Sequence, residues 1–303
     1  MIPAYNQCKL DMTINNSSEI EIFRENANKL ISQSQFLIAA ETEKNKLESI
    51  GTCILIKLDN RYFLITAAHV INQRHNVKCK ELYLLLDSET GKEKILIEEE
   101  IVCDPNDKVA DYHDVAIIEL NKENYKIIPD ERFLTLEQIE LDDSDKKKIY
   151  AFSGYPVSKN KSIRTQGKNK FLVVFTEAFE DDIFTFSLSY DKSNFNQELI
   201  KPQGMSGGGA WVISNKTNLE PKLIGISVCY KSKKYVVVLK ISYVLSMIKG
   251  FFIGTILDTI DLPFKHIEEE DGRTKLLVNE DLVSKYTDSS ETLFILAGSF
   301  SEK

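Results

Sequence analysis

Three short segments carry side chains whose types suit acyl transfer. In "LITAAHV" (64–70), His69 ends a strand-like run, directly after two small residues. In "DYHDVAIIEL" (111–120), Asp114 stands at the entry to a strongly apolar run. In "QGMSGGGAW" (203–211), Ser206 stands among Gly204, Gly207, Gly208 and Gly209. An imidazole can take and return a proton near neutral pH. A carboxylate drawn toward the interior needs a partner, and an imidazole N–H is a suitable one. A nucleophilic serine needs its hydroxyl open to a base and backbone N–H groups aimed at the developing oxyanion. Glycines permit close approach and unusual backbone angles in such a loop. The amides of Gly204 and Ser206 are the candidate oxyanion donors.

Each segment alone has a plainer reading: a structural histidine, an exposed aspartate at a turn, a flexible linker. Candidates for a base are few, because the chain has only His69, His75, His113 and His266. His113 and Asp114 are neighbours on an extended segment and face opposite ways, so they do not serve one site. Asp111 and His113 share a face and could begin a metal site, but no further ligand stands at a suitable spacing. The cysteines, Cys8, Cys53, Cys79, Cys103 and Cys229, form no CxxC pair. They read as reduced thiols.

The elements that must position these residues are mostly strands. Residues 17 to 32 have helical apolar spacing, with Asn16 to Ser18 as the N-cap. Then come "FLIAAE", "GTCILIKL" and "RYFLITAA", the last two joined by a hairpin turn at Asp59-Asn60. "ELYLLLD", "KILIEEEIVC" and "DVAIIEL" continue the series. A charged stretch, about 121 to 148, reads as a connector. A second series follows: "KIYAFSGYP", "SIRTQG", "KFLVVFTEAF", "DIFTFSLS", "GGAWVIS", "PKLIGISVCY" and "KKYVVVLKI". "SYVLSMIKGFF" turns helical, and "TLFILAGSF" reads as a late strand. Many short strands between turns predict an all-β fold rather than a parallel α/β sheet. No internal repeat is visible.

Together the three segments resemble the trypsin-like (chymotrypsin-fold) serine proteases. "TAAHV" is similar to that family's histidine motif, "HDVAIIEL" to its aspartate motif and "GMSGGG" to its serine motif. The order His, Asp, Ser is that family's order, and the intervals 69 to 114 and 114 to 206 are close to its own. "FSGYP", "LIGISVCY" and "LKISYVLSMIK" resemble later strands and a closing helix, as in the bacterial intracellular, Deg-like type. The resemblance implies two antiparallel β-barrels, about 36–128 and 145–240, closed by a helix at 241–250. Residues 1–35 form an N-terminal helical extension, and 251–303 a C-terminal extension with no role assigned. It also implies a serine endopeptidase acting through an acyl-enzyme. His69 would be the base, Asp114 its orienting partner, Ser206 the nucleophile, and the Gly204 and Ser206 amides the oxyanion hole. No metal or organic cofactor is called for.

Some positions depart from the family pattern. Val70 follows His69 where secreted animal members carry a cysteine, so Cys53 has no disulfide partner there. Met205 replaces a common Asp or Asn, and Gly209 a frequent Pro or small apolar residue. No site for N-terminal activation is recognisable. By the resemblance, Ile200 and Lys201 lie near the base of the specificity pocket, and Val228, Cys229 and Tyr230 along one wall. An apolar base favours an apolar or small residue before the cut; Lys201 turned inward favours an acidic one. Both remain open.

The formal charge of −8 argues against a general nucleic-acid binder. "YVVVL" and "FFIGTIL" are too short to span a bilayer, so no membrane partner is expected. The start of the chain lacks a secretory pattern, and a cytoplasmic location is expected. The expected partner is a protein or peptide substrate, with narrow specificity and regulation by a flanking segment or a regulatory protein. By analogy, a bacterial defence system is a fitting setting. The alternative is a catalytically silent trypsin-like fold that binds peptides along the "LIGISVCY" edge.

Overall fold

A computed structural model of the chain describes residues 17–75, 79–88, 91–98, 114–141, 148–160, 163, 169–191, 200–214, 220–232, 234–252, 254–268, 274–278 and 294–297. Asp111, His113, Cys8, Cys103 and most of "SIRTQG" lie outside these residues.

The architecture is mostly β, built on two antiparallel sheets. Helix α1 (Ser17–Gln33) leads in, as its apolar spacing predicts, with Ala27 and Ile31 buried. The first sheet holds β1 (Gln35–Thr42), β2 (Leu47–Leu58), β3 (Arg61–Thr66), β4 (Cys79–Ser88), β5 (Gly91–Leu96) and β6 (Ala116–Leu120). Strands β2 and β3 form the hairpin expected at Asp59-Asn60, with Asp59 at φ 54°. Aspartate is one of the few non-glycine residues that tolerates this turn conformation.

The second sheet holds β7 (Lys148–Gly154), β8 (Leu172–Thr176), β9 (Ala178–Asp181), β10 (Thr185–Ser189), β11 (Gly209–Ser214), β12 (Pro221–Lys231) and β13 (Tyr235–Lys240). Its strand order is β8-β7-β11-β12-β13-β10-β9. Only Glu177 separates β8 from β9, so the two edge strands are halves of one bent run. The sheet therefore closes on itself as a barrel. The first sheet, in the order β5-β4-β1-β2-β3-β6, is a half-barrel, open between β5 and β6 among the described residues. Tyr125 spans that gap, its hydroxyl donating to the Leu96 carbonyl at 3.3 Å.

Taking β8 and β9 as one run, each sheet has six strands among the described residues, with one winding. In chain order, the first pairs with the second and fourth, the third with the second and sixth, and the fifth with the fourth. The fifth–sixth pairing is made in the second sheet and open in the first. The halves thus repeat a topology that no residue pattern discloses.

The connector at 121–141 bonds to both sheets. Leu134 exchanges backbone hydrogen bonds with Leu55 and Lys57 of β2, and the Glu140 amide donates to Leu223 of β12. Helix α3 (Ile241–Phe251) follows β13 directly and is buried along most of its length. Beyond it lies a third sheet of β14 (Phe264–Glu268), β15 (Thr274–Val278) and β16 (Phe294–Ala297). Its first residue, Phe264, packs against Tyr243 of α3 and Phe184.

Candidate active site

The register of β3 against β6 sets the first half of the site. Thr66 pairs with Ala116, so the same antiparallel register carried two residues further brings Ala68 opposite Asp114. His69 stands in the short helix α2 (Ala68–Ile71), directly after β3. Both Asp114 oxygens bond to it: Oδ1 accepts from the His69 backbone N–H at 2.9 Å, and Oδ2 lies 2.7 Å from Nδ1. A carboxylate only accepts, so Nδ1 carries the proton and Nε2 of the neutral ring is left as an acceptor. The Asp114 side chain is 10% exposed and that of His69 37% exposed, so the pair is dry on one side and open on the other.

The second half is the loop from Pro202 to Gly208. The Met205 amide donates to Pro202 O at 2.9 Å, closing a turn with Gly204 at φ +90°. A type II turn requires a positive φ at that position. Gly207 also has positive φ, and a Cβ there would meet Thr52 O and Thr66 Oγ1 at 2.1 Å. The serine loop thus lies against the first sheet with no room for a side chain at Gly207.

Two carbonyls in this loop are anchored, which sets the direction of the amides in the same peptide units. Gln203 O accepts from the Val157 amide at 2.7 Å. Met205 O accepts from the Gly208 amide at 2.9 Å and from Ser227 Oγ at 2.8 Å. In a trans peptide the N–H points opposite the C=O. The Gly204 amide therefore points away from Val157, and the Ser206 amide away from Ser227 Oγ.

Thr52 of β2 fastens this loop to the first sheet. Its amide donates to Ser206 O at 2.9 Å and its hydroxyl to Gly204 O at 2.9 Å. The hydroxyl also accepts from the Tyr155 amide at 2.9 Å, and Thr66 Oγ1 donates to Thr52 O at 2.6 Å. Met205 itself is buried in the core of the second barrel beside Phe152, Leu188 and Tyr190. Apolar packing and backbone bonds hold the loop at the position where the resemblance leads one to expect Asp or Asn.

His69 and Ser206 line one cavity of about 340 Å³. Its other walls include Phe152, Pro202, Met205, Val228, Cys229, Tyr230 and Val236, so most of the lining is apolar. Val228, Cys229 and Tyr230, expected along one pocket wall, lie on this lining. Ile200 is not on the lining. Its carbonyl accepts from the Tyr190 hydroxyl at 2.5 Å, and the Tyr190 ring packs edge-on against Tyr230. Lys201 is exposed and also off the lining. Cys53 is fully buried and unpaired, and burial pushes its thiol pKa up. Among the described residues, no three His, Cys, Asp or Glu side chains gather into a metal site.

Sequence reading did not find Thr52, Val157 or Ser227, which hold the loop from other strands and turns. Their only signal is a buried polar side chain or amide, which no local pattern reveals.

No protein-family model matches the chain, and no curated protein matches it. Among solved structures, it is similar to HL collagenase at 15% identity, covering 82% of this chain and 97% of that one, with a TM-score of 0.46. It is similar to the protease Anisep from Arthrobacter nicotinovorans at 10% identity, covering 69% and 90%, with a TM-score of 0.43. It is similar to the Rv3671c protease in its inactive form at 15% identity, covering 75% and 93%, with a TM-score of 0.42.

Proposed function

We propose that the chain is a serine endopeptidase of narrow specificity. One observation carries the reading: His69 is clamped through Nδ1 and its backbone amide to Asp114, and lines the same cavity as Ser206. That arrangement leaves Nε2 available to take the Ser206 proton. Ser206 Oγ attacks the scissile carbonyl, and the imidazolium that forms is stabilised by Asp114. His69 then protonates the leaving amine, and water, activated by the same imidazole, releases the acyl group. The Gly204 and Ser206 amides receive the oxyanion, a role supported by the anchoring of Gln203 O and Met205 O.

The apolar cavity supports selection of an apolar side chain before the cut. An acidic residue there would lose its hydration with no Lys or Arg among the described lining residues to receive it. The substrate is thus a protein or peptide, and the chemistry calls for no cofactor.

The test is labelling of the full chain with a fluorophosphonate probe, beside Ser206→Ala and His69→Ala. Labelling of the parent chain alone is expected. Labelling that persists in Ser206→Ala overturns the nucleophile assignment, and no labelling of the parent under peptidase conditions favours a silent binding fold.

A further inference from the structure

Gln35 opens β1, two residues after α1 ends, and is fully buried. Its side chain bonds in three directions. Nε2 donates to Ile31 O in the last turn of α1 at 3.2 Å and to Ser153 Oγ of β7 at 2.7 Å. Oε1 accepts from the Gly209 amide at 3.0 Å. Ser153 Oγ in turn donates to Gly209 O at 3.1 Å and accepts from Trp211 Nε1 at 2.8 Å. Both amide protons of Gln35 and the one hydroxyl proton of Ser153 are used, so the arrangement of donors is unique. Both backbone polar groups of Gly209 are held, and Gly209 lies three residues after Ser206.

We propose that Gln35 is a positioning residue that couples the seating of α1 to the setting of the Ser206 loop. The coupling has a continuous physical path. Ala27 and Ile31 seat α1 in the core, and Ile31 O holds the Gln35 amide. Gln35 then holds the start of β11, from which the chain runs back through Gly208 to Ser206. Tyr155 ties the same path to the other side of the loop. Its hydroxyl donates to Gln35 O at 3.3 Å, and its amide donates to Thr52 Oγ1. Displacing α1 removes a partner from Gln35 and frees the side chain that holds Gly209. A fully satisfied buried network has few alternative arrangements, so loss of one partner is felt by the others. The effect on catalysis rests on the reading of Ser206 as nucleophile; the coupling itself does not.

The test uses the full chain and the variants Gln35→Leu, Ser153→Ala and Ile31→Asn. Hydrogen exchange of segment 204–214 reads the coupling. Trp211, the only tryptophan in the chain, reports the network by its emission. Fluorophosphonate labelling, resolved into maximal rate and half-saturating concentration, reads Ser206. In Gln35→Leu, exchange in 204–214 is expected to quicken about tenfold while the edge strand β5, which is not paired with β1, keeps its protection. The maximal labelling rate is expected to fall by about tenfold with the half-saturating concentration unchanged. Ile31→Asn is expected to move the same observables in the same direction. If Gln35→Leu fails to fold, Ser153→Ala carries the comparison, because it removes one hydroxyl only. Unchanged exchange in 204–214 in a folded variant with shifted Trp211 emission overturns the coupling. So does quickening spread evenly over the chain, which marks a loss of global stability. A parent chain that resists labelling overturns the nucleophile reading alone, and exchange still decides the coupling.

Discussion

The Thr52 amide donates to the Ser206 carbonyl at 2.9 Å, joining a strand of the first sheet to the serine loop of the second barrel. The Thr52 hydroxyl adds a bond to Gly204 O and receives one from the Tyr155 amide. One residue of the first sheet thus holds the carbonyls of the two residues whose amides are proposed to face the oxyanion, Gly204 and Ser206. Thr52→Val keeps the shape and the backbone bond but strips two buried groups of their partner. The expected cost is about 1–3 kcal/mol per stranded group. Labelling of Ser206 should slow by more than the remaining folded fraction explains. Urea unfolding and probe kinetics on one preparation check both.

Asp114→Asn preserves size and burial but replaces the acceptor facing Nδ1 with an amide that can donate. The His69 ring then loses the bond that fixes its tautomer. Turnover of a peptide substrate, or acylation by an activated ester, should fall by about 10⁴ with little change in half-saturation. A residual rate near that of the parent would remove Asp114 from the catalytic group.

The apolar lining predicts the cleavage profile. A peptide library should be cut after large or medium apolar residues and spared after Asp, Glu and Lys. Val236 is buried on that lining. Val236→Phe fills the space and should move the profile toward small apolar residues, with half-saturation rising for the large ones. Mass spectrometry of the cleaved library reads both outcomes.

Alkaline stability follows from buried acids that cannot ionise in place. Burial raises the pKa of Cys53 from an ordinary 9.0, and that of Tyr155 and Tyr190 from an ordinary 10.0. The unfolded chain sheds these protons as pH passes 9 and then 10, while the folded chain keeps them. The folded state then binds more protons, and stability falls as pH rises. Each such group contributes a slope of up to about 1.4 kcal/mol per pH unit. Cys53→Ala should flatten the decline that begins near pH 9 and leave the tyrosine part above pH 10. Urea midpoints from pH 7 to 11 measure it.

The hairpin at Asp59-Asn60, helix α1 and helix α3 were legible because their signals are local: a turn pair and a helical spacing of apolar side chains. His69, Asp114 and Ser206 stood out as candidates because each has a characteristic neighbourhood of a few residues. Thr52, Gln35, Ser153 and Ser227 were not. Each is an unremarkable polar residue in a strand or at its start, and its partner lies far away in the chain, as Gly209 does from Gln35. The matched winding of the two sheets was hidden for another reason. It is a property of which strands pair, and different side chains satisfy the same pairing.

By itself the sequence determined the alphabet of the site and its order: one imidazole, one carboxylate and one hydroxyl, set among strands that must bury their apolar faces. Only the tertiary structure decided that His69 bonds to Asp114 and shares a cavity with Ser206. The β3–β6 register placed Asp114 against His69, and the junction of the sheets placed Ser206 on the same cavity. It also decided which way the Gly204 and Ser206 amides point. The direction of an amide depends on what holds the carbonyl of its own peptide. Here two of those holders, Val157 and Ser227, come from other parts of the fold, and Gly208 closes the loop on itself.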